Sequence, residues 1–116
     1  MPGKLSTHVL DLTTGRPAAG LKIELWSTGP SASVVKSVLT NADGRTDQPL
    51  LSAETIAAGT FELVFHVASY FEGKPGVDPV PFLDRVPVRF TISDPDRPYH
   101  VPLLVTPWAY STYRGS

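Results

Sequence analysis

The sequence predicts an all-β fold, in which short strands form two packed sheets around one core. Apolar and polar residues alternate over many short runs, a pattern that is typical of half-buried strands. Glycine and proline separate these runs, and the 12 prolines lie at the breaks and form no disordered tract. Helical periodicity is almost absent. Many short strands joined by such turns favour a β-sandwich.

The N-terminal part of the chain contains the first predicted strands. They lie at residues 5–12, 21–27 and 33–40. A tight turn follows the third strand, because Asp43-Gly44 supplies a positive φ at low cost. Arg45 is therefore expected just past a turn.

The clearest half-buried strand covers residues 61–67, where Phe61, Leu63 and Phe65 alternate with other residues. One capped helical turn is predicted at residues 52–56 and a short helix at residues 68–72. Further strands are predicted at residues 86–92, 99–105 and 106–114, which makes seven or eight in all. Pro87 cannot donate to a ladder, so it favours an edge or first-residue position in its strand.

Length and composition limit the classes of function. A chain of 116 residues is long enough for one core and too short for two, so residues 1–116 are expected to form a single domain. Unclustered charges with a net value of -1 argue against a nucleic-acid partner or an acidic membrane surface. The absence of cysteine excludes disulfides and thiolate metal ligands. No leader or membrane span is apparent and the terminal Arg-Gly-Ser differs from a peroxisomal address, so a cytoplasmic protein is expected.

The chain has three histidines, and the alternation of side chains along a strand places two of them on outward faces. His8 shares an outward-pointing face with Leu10, and His100 shares one with Leu104. An outward face that carries leucine is expected to be covered, and a second subunit would turn it into a walled cleft. An oligomer is therefore predicted. His66 lies on a different strand and is assigned no role.

His8, Arg45 and His100 are the candidate catalytic set. Each residue taken singly is more often a solvated surface residue, and spacing alone does not bring the three together. If they converge, two imidazoles can take and return a proton near neutral pH, and the guanidinium can hold a carbonyl oxygen as it becomes an oxyanion. The sequence has no metal-ligand spacing, phosphate loop or cofactor fingerprint. Hydrolysis by water, without a metal or a cofactor, is the chemistry that remains.

Four segments carry a resemblance to a known family. They are residues 5–11 (LSTHVLD), 43–45 (DGR), 99–104 (YHVPLL) and 113–116 (YRGS). Together they resemble the 5-hydroxyisourate hydrolase family, the transthyretin-related group of urate catabolism, over essentially the whole chain. The resemblance implies a transthyretin-like sandwich of two antiparallel sheets with one short helix, assembled as a homotetramer with active sites where dimers meet. Residues 82–85 depart from the family pattern, because many members carry Phe-Pro-Glu there, which affects local edge packing.

The resemblance also implies two sets of site residues. The catalytic set is His8, Arg45, His100 and Ser116. The substrate-binding set is His8, Arg45, Tyr113, Arg114 and Ser116. The implied reaction adds water at the C6 lactam carbonyl of 5-hydroxyisourate and opens its six-membered ring, giving 2-oxo-4-hydroxy-4-carboxy-5-ureidoimidazoline. A neutral histidine of the pair would activate the water, and which one is the base stays open.

Two functions without catalysis are alternatives. A transthyretin-like carrier would bind an aromatic ligand in the same channel, but Tyr113 would narrow that channel and the polar site suits a small heterocycle better. A β-sandwich adhesion or regulatory module accounts for the turn sequences and leaves the tail unexplained. Deletion of residues 114–116 separates these functions, because it would abolish hydrolysis and leave the binding by a module intact.

Overall fold

The computed structural model describes residues 3–115, which form ten strands and one short helix. In chain order they are β1 (Leu5–Ser6), β2 (Val9–Asp11), β3 (Arg16–Pro17), β4 (Lys22–Ser27), β5 (Ser33–Leu39), β6 (Gly59–Phe65), α1 (Val67–Phe71), β7 (Val86–Ile92), β8 (Tyr99–His100), β9 (Leu103–Val105) and β10 (Tyr110–Thr112). Two four-stranded sheets share one hydrophobic core, so the predicted β-sandwich with one short helix is confirmed. Ser116 lies outside the described residues.

The first sheet has the strand order β10-β9-β2-β3, and β1 and β8 form a two-stranded ribbon. Strand β2 pairs in parallel with β9, with Val9 opposite Leu103, and β1 also pairs in parallel with β8. This pairing corrects the implied all-antiparallel arrangement. A parallel pair needs a long crossover connection, and here the crossover between β2 and β9 includes the whole second sheet.

The second sheet is antiparallel throughout and has the order β5-β4-β6-β7. Its last strand has the predicted bounds, Val86–Ile92, and lies at the edge. Pro87 is exposed on this edge strand, as expected for a residue without a backbone donor.

Several predicted strands are shorter in the structure. The strand predicted at residues 5–12 is divided into β1 and β2, and the one at residues 99–105 into β8 and β9. The last strand begins at Tyr110, because the Thr106 amide donates to the Ala109 carbonyl at 2.8 Å and closes a turn. Within residues 3–115, no helix has the length and apolar character needed to cross a membrane.

Side chains from both sheets and from α1 fill the core. Val67 and Phe71 of the helix are fully buried. Tyr70 donates a hydrogen bond of 2.8 Å to Oδ2 of Asp11 and so connects α1 to β2. Burial and the Asp11 carboxylate raise the pKa of Tyr70, which keeps the phenol protonated as a donor. This contact holds the helix against the strand that follows His8.

Candidate active site

The outer surface of the first sheet and its ribbon carries both predicted site histidines. Ser6 lies opposite His100 in the ribbon, and both side chains are half-buried, whereas their neighbours Leu5 and Tyr99 are buried in the core. The Leu103 amide donates to the His8 carbonyl at 2.9 Å, so the His8 segment runs beside the strand that continues from His100. The alternation predicted for this face is confirmed.

Arg45 reaches the same region through the turn that precedes it. The side-chain oxygen of Asn41 accepts hydrogen bonds from the Asp43 and Arg45 amides, which closes the turn. Gly44 has a φ of 73° and its carbonyl accepts from the Val9 amide at 2.8 Å. A Cβ at Gly44 would collide with the Val9 carbonyl oxygen, so only glycine permits this close approach. The turn therefore fixes Arg45 beside the His8 segment.

His100 lies within electrostatic reach of both other members of the predicted set. Burial, the Arg45 guanidinium and His8 all lower the pKa of His100 below its usual value. The structure thus brings His8, Arg45 and His100 together, although they are distant in the chain. A lowered pKa favours the neutral imidazole, which is the form that can accept a proton.

One polar contact of His100 was not predicted from the sequence. The Ser6 hydroxyl lies 2.9 Å from Nδ1 of His100, within hydrogen-bonding distance. The alternation of side chains along the strand places Ser6 on the outward face with His8, and this is the sequence feature that could have suggested a role for Ser6. The pairing itself depends on the register of the parallel ribbon, which no local pattern specifies.

The C-terminal segment packs directly against His100. Strand β10 pairs with β9, and the Thr112 hydroxyl donates to the Pro102 carbonyl at 2.7 Å. The Gly115 amide then donates to the His100 carbonyl at 2.7 Å. A Cβ at Gly115 would lie 2.8 Å from Cδ2 of His100, so the glycine allows the chain to cross the imidazole closely. The predicted site residue Ser116 follows and lies outside the described residues.

Tyr113 and Arg114 occupy different positions relative to this site. The Arg114 guanidinium lies 4.4 Å from the centre of the Tyr99 ring and donates to the Pro98 carbonyl at 3.3 Å. Tyr113 is 60% exposed. Both residues line a cavity of about 280 Å³ between β7 and the tail, together with Val88 and other residues. His8, Arg45 and His100 do not line it.

The third histidine, His66, lies between β6 and α1 and forms a separate pair with Glu24 of β4. Nε2 of His66 lies 3.1 Å from Oε1 of Glu24, and this hydrogen bond lowers the pKa of Glu24. The pair accounts for His66 without a role in the site. Among residues 3–115, no three His, Cys, Asp or Glu side chains form a cluster that would hold a metal ion.

Together these contacts form a site with defined chemical capacities. It contains the His100 imidazole with a hydroxyl at Nδ1 and a lowered pKa, a second imidazole, a guanidinium and the Gly115 backbone bonded to the His100 carbonyl. A neutral imidazole can accept a proton from water. A guanidinium can bind a carbonyl oxygen and stabilise the negative charge that develops on it. The arrangement suits the addition of water to a polar carbonyl compound.

A family model and several known proteins are similar to this chain over nearly its whole length. The model of the HIUase/Transthyretin family matches residues 5–115. A protein of Deinococcus radiodurans named 5-hydroxyisourate hydrolase is 53% identical over 116 residues, covering 99% of this chain and 97% of its own length. The crystal structure of an (S)-allantoin synthase is 43% identical with a TM-score of 0.90, and this chain spans 99% of its own length but 44% of that longer protein. The structure of Klebsiella pneumoniae 5-hydroxyisourate hydrolase is 32% identical with a TM-score of 0.81, over 98% of this chain and 94% of the other.

Proposed function

Because the chain belongs to the HIUase/Transthyretin family, we propose that it is a hydrolase of purine catabolism. Its substrates are 5-hydroxyisourate and water, and its product is 2-oxo-4-hydroxy-4-carboxy-5-ureidoimidazoline. The name of the Deinococcus radiodurans relative, at 53% identity, supports this activity. The observation that carries the proposal is the geometry at His100, whose half-buried imidazole lies between the Ser6 hydroxyl and Gly115. Burial, Arg45 and His8 lower the pKa of this imidazole, which favours the form that accepts a proton.

The proposed reaction is a hydrolysis of the C6–N1 amide bond. Water adds to the C6 carbonyl while a neutral histidine, His100 in this proposal, accepts its proton at Nε2. The carbonyl oxygen becomes an oxyanion beside the Arg45 guanidinium. The tetrahedral intermediate then collapses, the C6–N1 bond breaks, and His100 returns the proton to N1, which becomes part of the ureido group. C6 becomes the carboxyl group of the product, with the hydroxyl that came from water.

The remaining site residues have supporting roles in this proposal. Arg45 and His8 bind the substrate and Ser116 donates a hydrogen bond to it, as the resemblance to the family implies. Tyr113 narrows the channel through which the substrate reaches the site. Arg114 was expected to bind substrate, but its contacts with Tyr99 and Pro98 favour a role in anchoring the tail. No metal and no cofactor takes part.

The protein is proposed to act as an oligomer in the cytoplasm. We expect a homotetramer whose sites lie at the dimer-dimer interface, as the resemblance to the family implies. The half-buried Leu10 and Leu104, which lie opposite each other on the face that carries the histidines, support an interface between subunits on this face. Such an interface would shield from bulk water a site that is otherwise open in one chain. The cytoplasm is the expected location.

The ultraviolet decay of 5-hydroxyisourate, freshly made from urate with urate oxidase, tests the activity. We expect the wild-type protein to accelerate decay over the spontaneous rate, and His100→Asn to lower kcat by about 10²- to 10⁴-fold, the range of general base catalysis. His66→Asn is the matched control, because it removes a half-buried histidine that pairs with Glu24 of the other sheet. A wild-type rate equal to that of the blank would refute the hydrolase and favour a carrier.

A further inference from the structure

We infer that Ser6 is a positioning residue of the proposed hydrolase, whose hydroxyl holds the Nδ1–H of His100 and leaves Nε2 as the proton acceptor. The inference rests on the proposed function and adds a residue to it. Ser6 has no place among the site residues expected from the sequence. Its effect on the reaction would act entirely through His100.

The geometry around His100 fixes the imidazole on two sides. Ser6 lies opposite His100 in the ribbon, and its hydroxyl is 2.9 Å from Nδ1. The adjacent side chains Leu5 and Tyr99 are buried in the core, which prevents the two short strands from rotating. Gly115 crosses the other side of the ring closely. The imidazole is therefore held between the ribbon and the tail.

The chemistry of imidazole makes the Ser6 contact important for a base. A neutral imidazole carries one N–H and one lone pair, so a proton on Nδ1 leaves Nε2 free to accept a proton from water. When Nε2 takes that proton, the bond from Nδ1–H to the Ser6 oxygen becomes charge-assisted and stronger. The Ser6 hydroxyl thus stabilises the imidazolium that forms during the reaction more than the neutral ring. This difference would raise kcat and leave KM almost unchanged.

Three variants test the inference. We expect Ser6→Ala to lower kcat about three- to tenfold, the difference between a charge-assisted and a neutral hydrogen bond, with little change in KM. Ser6→Thr retains the hydroxyl and should recover most of the wild-type kcat. Ser27→Ala is the control, because it removes a half-buried serine hydroxyl from β4 in the other sheet and should leave kcat unchanged.

The tautomer of His100 provides a readout that does not depend on catalysis. Nitrogen NMR of protein labelled with ¹⁵N-histidine, with His100→Asn for assignment, should show the Nδ1–H tautomer of His100 in the wild type at a pH above the pKa of this residue. Ser6→Ala should shift this signal towards the Nε2–H form. A wild-type Nε2–H tautomer, an unchanged kcat in Ser6→Ala, or a Ser6→Thr enzyme as slow as Ser6→Ala would each overturn the inference. Failure of the proposed function has a different signature, namely wild-type decay no faster than the blank, and it leaves the tautomer measurement valid.

Discussion

The surroundings of His100 favour its neutral form. The imidazole is half-buried, and both Arg45 and His8 oppose a positive charge on it. A base with a lowered pKa is unprotonated over a wider pH range and remains active below pH 6.5, the ordinary pKa of histidine. As the pH is lowered, kcat/KM is therefore expected to fall to half of its plateau value only below pH 6.5, which a pH profile of substrate decay measures.

Arg45 contributes to this shift and its removal provides a test. Arg45→Gln removes a cation near His100, so the pKa of His100 should rise towards its ordinary value. The same change should lower kcat by about 10²- to 10³-fold, because one donor to the oxyanion is lost. NMR titration of His100 measures the first effect and substrate decay the second. Arg16→Gln, an exposed arginine on β3, serves as the control. An unchanged titration in Arg45→Gln would contradict the electrostatic contact.

For the single residues of the candidate site, the sequence predicted which face each histidine occupies but not which side chains contact it. His8 and His100 were assigned to outward faces from the period of two residues, and the structure confirms those faces. The approach of Arg45 to the histidines came from the family resemblance, because it depends on the hydrogen bond between Gly44 of the turn and Val9, which are 35 residues apart in the sequence. The Ser6–His100 and Arg114–Tyr99 contacts depend on long-range register and were missed.

The turn at Gly44 is the element that carries Arg45 to the site. Its φ of 73° costs an alanine about 1–2 kcal/mol, and a Cβ there would also collide with the Val9 carbonyl oxygen. Gly44→Ala should thus lower the free energy of unfolding by more than this strain alone, and displacement of Arg45 should reduce kcat/KM. Gly15→Ala isolates the strain, because Gly15 has the same φ of 73° and no atom within 4 Å of its Cβ position. Denaturant titration that gave equal losses for both variants would contradict the close approach.

The tail is a second element with a separable role. Deletion of residues 114–116 removes the Gly115–His100 and Arg114–Pro98 hydrogen bonds and the Arg114–Tyr99 contact but leaves β10, which ends at Thr112. We expect a loss of about 1–3 kcal/mol in stability, the sum of two hydrogen bonds and one exposed cation–π contact. Hydrolysis should be abolished. Circular dichroism and substrate decay measure the two effects, and Ser116→Ala separates the serine hydroxyl from the backbone of the tail. Unaffected turnover in the deletion would contradict the tail assignment.

The elements of the second sheet were more predictable than those of the first. Strand β7 has the predicted bounds because alternation and Pro87 define it locally. The first sheet is assembled from segments at both ends of the chain, and its parallel β2–β9 pair is fixed by core packing between distant residues. Local alternation gives the faces of such strands and does not give their partners or their interruptions.

The whole molecule presents an outward face that one chain leaves partly open. Leu10 and Leu104 lie opposite each other there, each half-buried, on the surface that also carries His8. If this face forms the proposed dimer-dimer interface, a charge in its apolar part should prevent tetramer formation, because an unpaired charge is costly to bury. Leu104→Glu should therefore yield smaller species by analytical ultracentrifugation. It should also lose most hydrolysis, because bulk solvent would weaken the electrostatic contacts between the open site and the substrate. Leu39→Glu is the control, because Leu39 is 63% exposed on the other sheet. A Leu104→Glu protein that remained tetrameric and fully active would place the interface elsewhere on the molecule.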